Sequence, residues 1–399
     1  MGALLSVFAL ALAAGCATAG SQGAGGSPAC TSPGVSANEV RLGLLSPNTG
    51  PTAKQFVDLR SGVNARLDLE NARGGVNGRK LVYDRADDTG SAEGNLTGAR
   101  QLIENSHDFA VLEGSVAEQA SADYLNKSGV PVTGVGGDPV WTRLPNMFTF
   151  GMFFSETEPP PSWGQFVKQH GGTKAAVLSL QFVPVTANFA KKESQSLTAA
   201  GIQIAYNEPV SVTGSDLRAV ALAMKAKGVD VLTGGLSVDL FAKIVTAARE
   251  VGVPLKVILS VTGYEPALLQ SYGPQLAGSY LAMITAPFEQ NLPVHQAFLR
   301  AMADYAPEEQ PANSQLSLDG WLIADMAIRG LQLAGSCPSR ESFITNLRNV
   351  HNYDGGGLIS PALDLGRFRE PVRCNHFVQV NANGTGFQVQ QPDPFCPAS

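Results

Sequence analysis

The chain has 399 residues, 44% of them hydrophobic and only 16% charged, with a formal net charge of −6. That length exceeds one ordinary core, so two lobes are expected, and the mild acidity without any basic block argues against nucleic acid as a partner. No uninterrupted apolar run of the ~20 residues a membrane span needs lies inside the body; Leu316 to Leu333 comes nearest, but Asp319, Asp325 and Arg329 break it.

At the N-terminus, Ala3 to Ala14 is almost wholly apolar and of signal-peptide length. Ala14-Gly15-Cys16 then resembles a bacterial lipobox, which predicts cleavage before Cys16 and its lipidation. Two features depart from that pattern: Ala13 stands where the usual leucine falls, with Leu12 one residue further out, and no Lys or Arg precedes the apolar run. Ala17 to Pro28 is rich in Gly, Ser and Ala and reads as a flexible tether spanning roughly 20 Å. With Cys16 lipidated, four cysteines remain, as an oxidising compartment favours. Sequence allows three connectivities; the expected pairing is Cys337 with Cys374, which flank one segment, and Cys30 with Cys396, at the two ends of the folded body. None shows a zinc-like spacing.

The body opens with a short apolar run, Val40 to Leu45, that breaks into the polar loop Ser46 to Pro51. Phe56, Leu59, Val63 and Leu67 follow at spacings of three and four, the mark of a helix with one buried face. Gly74-Gly75 ends that helix, and Asn77-Gly78 turns the chain into the strand Lys80 to Tyr83. Next come a helix from Ser91 to Glu104 with Leu96, Ala99, Leu102 and Ile103 inward, and a strand from Phe109 to Gly114. A helix from Ala117 to Lys127 and strands at Val130 to Val135 and Met147 to Phe150 complete this part. Strands alternating with helices at this pace predict a parallel sheet covered on both faces.

Glu156 to Pro161 is a stiff interruption, and beyond it the rhythm restarts. Strands are expected at Ala175 to Leu180, Ile202 to Ala205, Val229 to Thr233 and Val257 to Val261. Helices fall near Phe189 to Ala199, Ser215 to Lys227 and Val238 to Val251. Another strand, Leu281 to Ile284, precedes helices at Pro293 to Tyr305, Ser314 to Leu333 and Ser339 to Asn349. The chain closes with Gly355-Gly356-Gly357 and a hairpin pairing His376 to Val380 with Phe387 to Gln390.

Several stretches taken together resemble a known family. They are Arg41 to Ser46 with Gly50-Pro51, Glu70 to Gly78, Asp87-Asp88, Gly114-Ser115, Gln119-Ala120-Ser121, Val130-Pro131-Val132, Gly234-Gly235 and Ala247 to Gly252. In that order they are similar to type I periplasmic binding proteins, of the branch that includes the branched-chain amino-acid binders of ABC transporters. The resemblance implies an α/β fold of two Rossmann-like lobes joined by three crossovers, with a ligand cleft between them. Residues 1–15 would be the signal peptide and 16–38 the lipidated cysteine and tether. Residues 39–155 with 287–356 would form the N-terminal lobe, and 156–286 with 357–399 the C-terminal lobe.

The resemblance also implies roles. Ser115 corresponds to the cleft serine that binds the ligand carboxylate, with Val116 beside it, and Gly136-Gly137 to the loop whose backbone approaches the ligand. Gln55 faces the cleft by family placement, although an exposed helical glutamine reads as well; Asn48 and Thr49 serve equally as ligand contacts or turn builders. From the second lobe come Phe182, Leu236, Ser237, Thr262 and Tyr264. Amino-acid binders of this branch place an acid there, and here its equivalent falls near Val261 or Thr262, with Glu265 beyond it at a helix start. A buried ammonium without a counter-charge is costly, so a neutral or anionic small organic ligand is expected, held partly by Phe182, Leu236 and Tyr264.

Other features read as structural. Asp138 before Pro139 forms a turn, Trp141 packs, and Asp87-Asp88 ends a strand facing solvent. The five histidines show no metal spacing, and Asn95-Leu96-Thr97 is a chance sequon. Gly114-Ser115-Val116-Ala117 is not a nucleophile elbow, and no P-loop, H-E-x-x-H or dinucleotide fingerprint appears. The sequence therefore predicts a monomeric, lipid-anchored extracytoplasmic protein, not an enzyme and without cofactor or metal, that binds a small molecule and serves an ABC permease. The alternative is a ligand-sensing receptor component with the same fold and no transport role.

Overall fold

Apolar runs separated by amphipathic stretches fold into two sheets, each layered with helices. The computed structural model describes residues 2, 30–50, 52–150, 155, 158–181, 183–211 and 214–397. Apart from Gly2, the signal-peptide segment and Cys16 lie outside the described residues, as do Phe182 and the side chain of Gln55.

The first part runs β1 (Glu39–Ser46), α1 (Ala53–Phe56), α2 (Leu59–Ala72), β2 (Lys80–Asp87), α3 (Ala92–Arg100), β3 (Val111–Gly114), α4 (Gln119–Lys127), β4 (Val132–Val135) and β5 (Met147–Thr149). These strands make a parallel sheet in the order β2-β1-β3-β4-β5. Helices cover both faces, so β1 reads as a run with Leu42, Leu44 and Leu45 all buried, rather than an alternation. Between α2 and β2, Asn77 and Gly78 both have positive φ, at 50° and 77°, and Val76 and Arg79 bond each other across them. That is the two-residue hairpin turn the Asn-Gly pair predicts.

The chain then passes through α5 (Pro161–Gln169), β6 (Lys174–Leu180), α6 (Pro184–Ala199), β7 (Gln203–Tyr206), β8 (Pro209–Val210), α7 (Leu217–Ala226), β9 (Val231–Gly235), α8 (Val238–Glu250), β10 (Val257–Ser260), α9 (Pro266–Leu276) and β11 (Tyr280–Met283). It returns with α10 (Pro293–Tyr305), α11 (Gln315–Ala334) and α12 (Arg340–Arg348), then ends in the hairpin β12 (His376–Val380) and β13 (Phe387–Val389). The second sheet is ordered β13-β12-β11-β10-β9-β6-β7, with β8 beside β6.

The returning helices belong to the first lobe. α11 lies along α2 so closely that a Cβ on Gly62 would overlap the Ser317 carbonyl, and one on Gly320 the Leu59 carbonyl. Arg66 of α2 ties the pair together, 3.0 Å from Glu70 and 3.0 Å from Asp325 of α11. Pro161 opens helix α5 at its first position, where a missing N–H is harmless, so the proline run is shorter as a linker than the sequence suggests.

Two expectations need correction. The resemblance puts residues 357–372 in the second lobe, but Leu358, Ile359 and Leu365 are buried in the first core, and Ile359 bridges Thr285. Apolar side chains in this segment outweigh the glycine run as a boundary signal, and the third crossover falls between Val372 and Asn375. The disulfides also pair differently: Cys30 with Cys337 and Cys374 with Cys396. Asn375 and Phe395 form an antiparallel bridge with both hydrogen bonds made. That sets Cys374 and Cys396 opposite each other, with Cα atoms 4.3 Å apart, as in a non-hydrogen-bonded antiparallel pair. Cys30 is brought to Cys337 by Ser32, which donates to the Pro338 carbonyl at 2.6 Å, and by Arg79, which holds the Ser36 and Ser336 carbonyls.

Candidate ligand site between the lobes

Both sheets point the C-terminal ends of parallel strands at one gap, where open α/β sheets hold ligands. The first lobe contributes the loops after β1 (46–52), β3 (115–118) and β4 (136–138), and the second those after β6 (181–183), β9 (236–237) and β10 (261–265). The two sets meet. A Cβ placed on Gly137 would lie 3.5 Å from Val185 Cγ2, in the first turn of α6. The Glu265 carboxyl, at the start of α9, interacts electrostatically with Asp58, just ahead of α2.

The first-lobe loops are braced by carboxylates. Asp87 accepts from the N–H groups of Asn48 (2.8 Å), Thr49 (3.2 Å) and Thr89 (2.9 Å), and from Thr49 Oγ1 at 2.6 Å. Partial burial works against its charge, but those hydrogen bonds win and hold the carboxyl at about 2. Asn48 also accepts from Arg85 at 2.7 Å. Asn48 and Thr49 thus build the turn, and what they offer a ligand is one exposed edge of it.

Asp88 corrects the sequence reading, for it is fully buried and not solvent-facing. It accepts from Ser115 Oγ, from the Asn95 amide (3.3 Å) and from Gly90 N–H (2.8 Å). Ser115 is itself 2% exposed, and its hydroxyl also accepts from Ala117 N–H at 2.9 Å. Its side chain therefore points beneath the loop, capping the approach to α4, and its backbone is what borders the gap with half-buried Val116. Asn95 joins this network to Glu113 (2.9 Å) and to Ser121 N–H (3.1 Å). Sequence reasoning missed Asn95, yet a signal was present. Asn95 shares a face with Ala99 and Leu102, so a polar residue stood on the buried side of its helix. Its burial also rules out a glycan on the folded chain.

Gly136 is dictated by packing from below. A Cβ there would overlap Glu118 Oε1, which accepts from Asp138 N–H (3.1 Å) and Trp141 Nε1 (3.3 Å). Glu118 is wholly buried, and desolvation pushes its carboxyl up to about 7. Trp141 is a core residue, as expected.

The second-lobe loops are held by apolar packing from below and by short-range bonds from Thr186 to the Val183 carbonyl (2.8 Å) and from Ser260 to the Thr262 carbonyl (2.9 Å). Leu236 is 4% exposed within the second core. Ser237 stands at the N-cap of α8 without a capping side-chain bond, leaving the first-turn N–H groups free of that partner. Thr262 is exposed and reaches the Leu236 carbonyl at 3.3 Å. Tyr264 is committed elsewhere: its hydroxyl donates to Glu289 and accepts from Phe288 N–H, both at 2.6 Å. Its ring packs on Phe387 and Phe288, so it braces the second crossover.

Four acids close the arrangement. Glu309, between α10 and α11, has its carboxyl raised to about 7 by burial and by the nearby Asp58. Desolvation and Asp58 raise Glu265 to about 7. Asp319, on α11, is raised to about 8 by desolvation and by Glu265.

A family model described as periplasmic binding protein matches residues 39–385. The Leu/Ile/Val-binding protein BraC3 of Rhizobium johnstonii is 26% identical over 203 residues, 49% of this chain and 54% of that one, so the chain spans about half the length of this relative. A fatty acid ABC transporter substrate-binding protein from Thermomonospora curvata has the same fold, with a TM-score of 0.74 at 19% identity over 92% of this chain and 94% of that one. The branched-chain amino acid transporter substrate-binding protein of Streptococcus pneumoniae, in complex with isoleucine, gives 0.71 at 17% identity over 89% and 100%. The chain belongs to the periplasmic binding proteins, in the type I branch that includes the leucine, isoleucine and valine binders.

Proposed function

We propose that this chain is an extracytoplasmic solute-binding protein, anchored through lipid on Cys16, that captures a small organic molecule between its lobes and delivers it to an ABC permease. Binding, not catalysis, is the activity. The observation that carries this reading is that strand-end loops of two parallel sheets face one gap and come together there, a Cβ on Gly137 lying 3.5 Å from Val185 of the other lobe. No helix among the described residues is long and apolar enough to cross a membrane, in keeping with attachment through a tether.

The contacts we assign are the exposed edges of Asn48 and Thr49, the backbone at Ser115, Val116 and Gly137, the uncapped start of α8 at Ser237, and Thr262, with Phe182 and Gln55 completing the set. Leu236 shapes the floor and Tyr264 the hinge. An open form exposes both walls, and a ligand that bridges them favours the closed form by its differential contacts. Micromolar affinity, about −8 kcal/mol, suffices for capture. The relatives span isoleucine and fatty acid among the ligands their descriptions name, so fold alone does not choose the ligand.

The test is small-angle scattering of ligand-free monomer against a broad metabolite panel. A fall in radius of gyration with at least one compound is expected; no change with any would sink the proposal. Cys16→Ser should move the protein from the membrane fraction to the soluble one.

A further inference from the structure

Away from the gap, a cavity of about 270 Å³ lies between the edge strand β5 and the segment 359–374 that leads into the third crossover. Met147, Ile284, Ile359, Leu365, Phe368 and Val372 give it an apolar wall, and none of its lining residues belongs to a loop facing the gap. Pockets for drug-sized ligands run from roughly 300 to 1,000 Å³, so the guest that fits here is a small one.

The charges around this cavity do not balance. Arg348, Arg367 and Arg373 line it, against Asp364 and Glu370. Arg367 is paired with Glu370 at 2.6 Å, and Asp364 is bonded to His351 (2.8 Å) and to Gly366 N–H (2.9 Å). Two guanidiniums are left over. Arg373 is exposed and makes no hydrogen bond or ion pair with a described residue. Arg348 lies between the rings of Phe148 and Phe368, each 4.0 Å away. It donates only to carbonyls, those of Pro145 and Leu365 at 2.8 Å, Leu144 at 3.4 Å and Met147.

Those bonds fasten α12 to the approach to β5, but they neutralise nothing. Burial draws the Arg348 guanidinium down to about 9 and no carboxylate raises it, so it keeps its charge at neutral pH. A desolvated cation without a counter-charge is costly, and an anion in the same space relieves it. With both faces covered by rings, Arg348 offers the cavity its edge. Of the five N–H groups of a guanidinium, one on Nη1 bonds no described residue.

We propose that this cavity is a binding site for a small organic monoanion, a carboxylate carried on a short hydrocarbon chain or ring. The carboxylate would sit between the edge of Arg348 and the planar fork of Arg373, which matches it in shape and charge, with the hydrocarbon on the apolar wall. An inorganic anion forfeits that wall, and a neutral or cationic amphiphile leaves Arg348 uncompensated. The site is separate from the gap between the lobes and does not depend on the solute-binding reading.

The experiment is photolabelling of the purified chain with 4,4-azipentanoate, read by peptide mapping, with pentanoate, pentanamide, pentylamine and sulfate as competitors. Label is expected within 359–374 or 147–149. Excess pentanoate should suppress it at least about 10-fold, roughly 1.4 kcal/mol of preference, over the other three. Arg373→Glu should weaken the labelling by about as much while the melting curve stays put, and Arg373→Lys, which keeps the charge, should weaken it less. Label confined to the loops facing the gap, or no label at all, overturns the inference and leaves the solute-binding reading intact. Label at 359–374 that pentanamide or sulfate competes as well as pentanoate does, or that Arg373→Glu leaves unchanged, also overturns it.

Discussion

The two walls of the gap are held by different physics. Behind the first wall lies a buried polar network, in which Asp88, Asn95, Glu113, Ser115 and Glu118 fix the loops after β1, β3 and β4. Behind the second lies more hydrocarbon: Leu236, Leu240, Phe241 and Tyr264 in one apolar cluster, with Thr186, Ser260 and Thr262 bonding the loop ends from short range and one buried pair, Glu193 with Thr233, beneath them. Hydrogen bonds are directional and fix geometry, whereas apolar packing tolerates exchange of similar volumes. The first wall is therefore a rigid template. The second is the one that evolution can reshape for a new ligand without unfolding the lobe.

The largest expected effect breaks the first wall. Asn95→Ala removes donors from Asp88 and Glu113 and the acceptor for Ser121 N–H at once. Each buried group left unpaired costs about 1–3 kcal/mol, so the first lobe should lose about 3 kcal/mol or more, read as an earlier unfolding transition in urea. Loss below about 1 kcal/mol would show that the network is not what holds these loops.

The next effect is on pH. Burial raises Glu118 and Glu265 to about 7, and Glu193 and Asp319 to about 8. A carboxyl raised in the folded state binds protons that the unfolded chain has released, so stability falls as pH rises from about 4 through these values. Asp87 runs the other way, but at about 2 its contribution is already constant above pH 5. The melting midpoint should therefore be higher at pH 5.5 than at pH 8, by at least about 5 °C at ~3 °C per kcal/mol. A flat or rising profile toward pH 8 would contradict these assignments. In Glu265→Gln/Asp319→Asn the slope should shrink.

How far the sequence announces all this differs between the walls. The alternation of strands and helices was legible because both sheets bury apolar runs at regular intervals, and the loops facing the gap follow from strand direction alone. Glycines read in more than one way. Gly355 to Gly357 looked like a boundary, although Leu358, Ile359 and Leu365 just beyond it carry the first core onward. Gly136 reads by resemblance as part of a loop whose backbone approaches a ligand, and the fold adds a reason for it from below, since a Cβ there would overlap Glu118. Ser115 matches a family position in kind, yet its hydroxyl direction depends on Asp88 and Asn95, and periodicity marks Asn95 as inward-facing without saying which loop it serves. The acids before α2, on α11 and before α9 are distant in sequence, and only the folded chain brings them together.

Tyr264→Phe tests the second wall where it meets the hinge. The variant keeps the ring and its packing on Phe387 but leaves Glu289 and Phe288 N–H without their partner. A loss of about 1–2 kcal/mol in the second lobe is expected, with ligand affinity changed less than two-fold, roughly 0.4 kcal/mol. Affinity falling as steeply as stability would instead make Tyr264 a ligand contact, as the sequence suggested.

The smallest structural effect is the most discriminating. Ser237 makes no capping bond to α8, so Ser237→Ala should change stability by less than about 0.5 kcal/mol, against about 1 kcal/mol for a serine that caps. If the start of α8 meets the ligand, the same change should weaken binding several-fold while the melting curve stays put. A stable variant with undiminished affinity would place the ligand against the first wall alone. The apolar wall would then act as a lid that closes over a ligand already held.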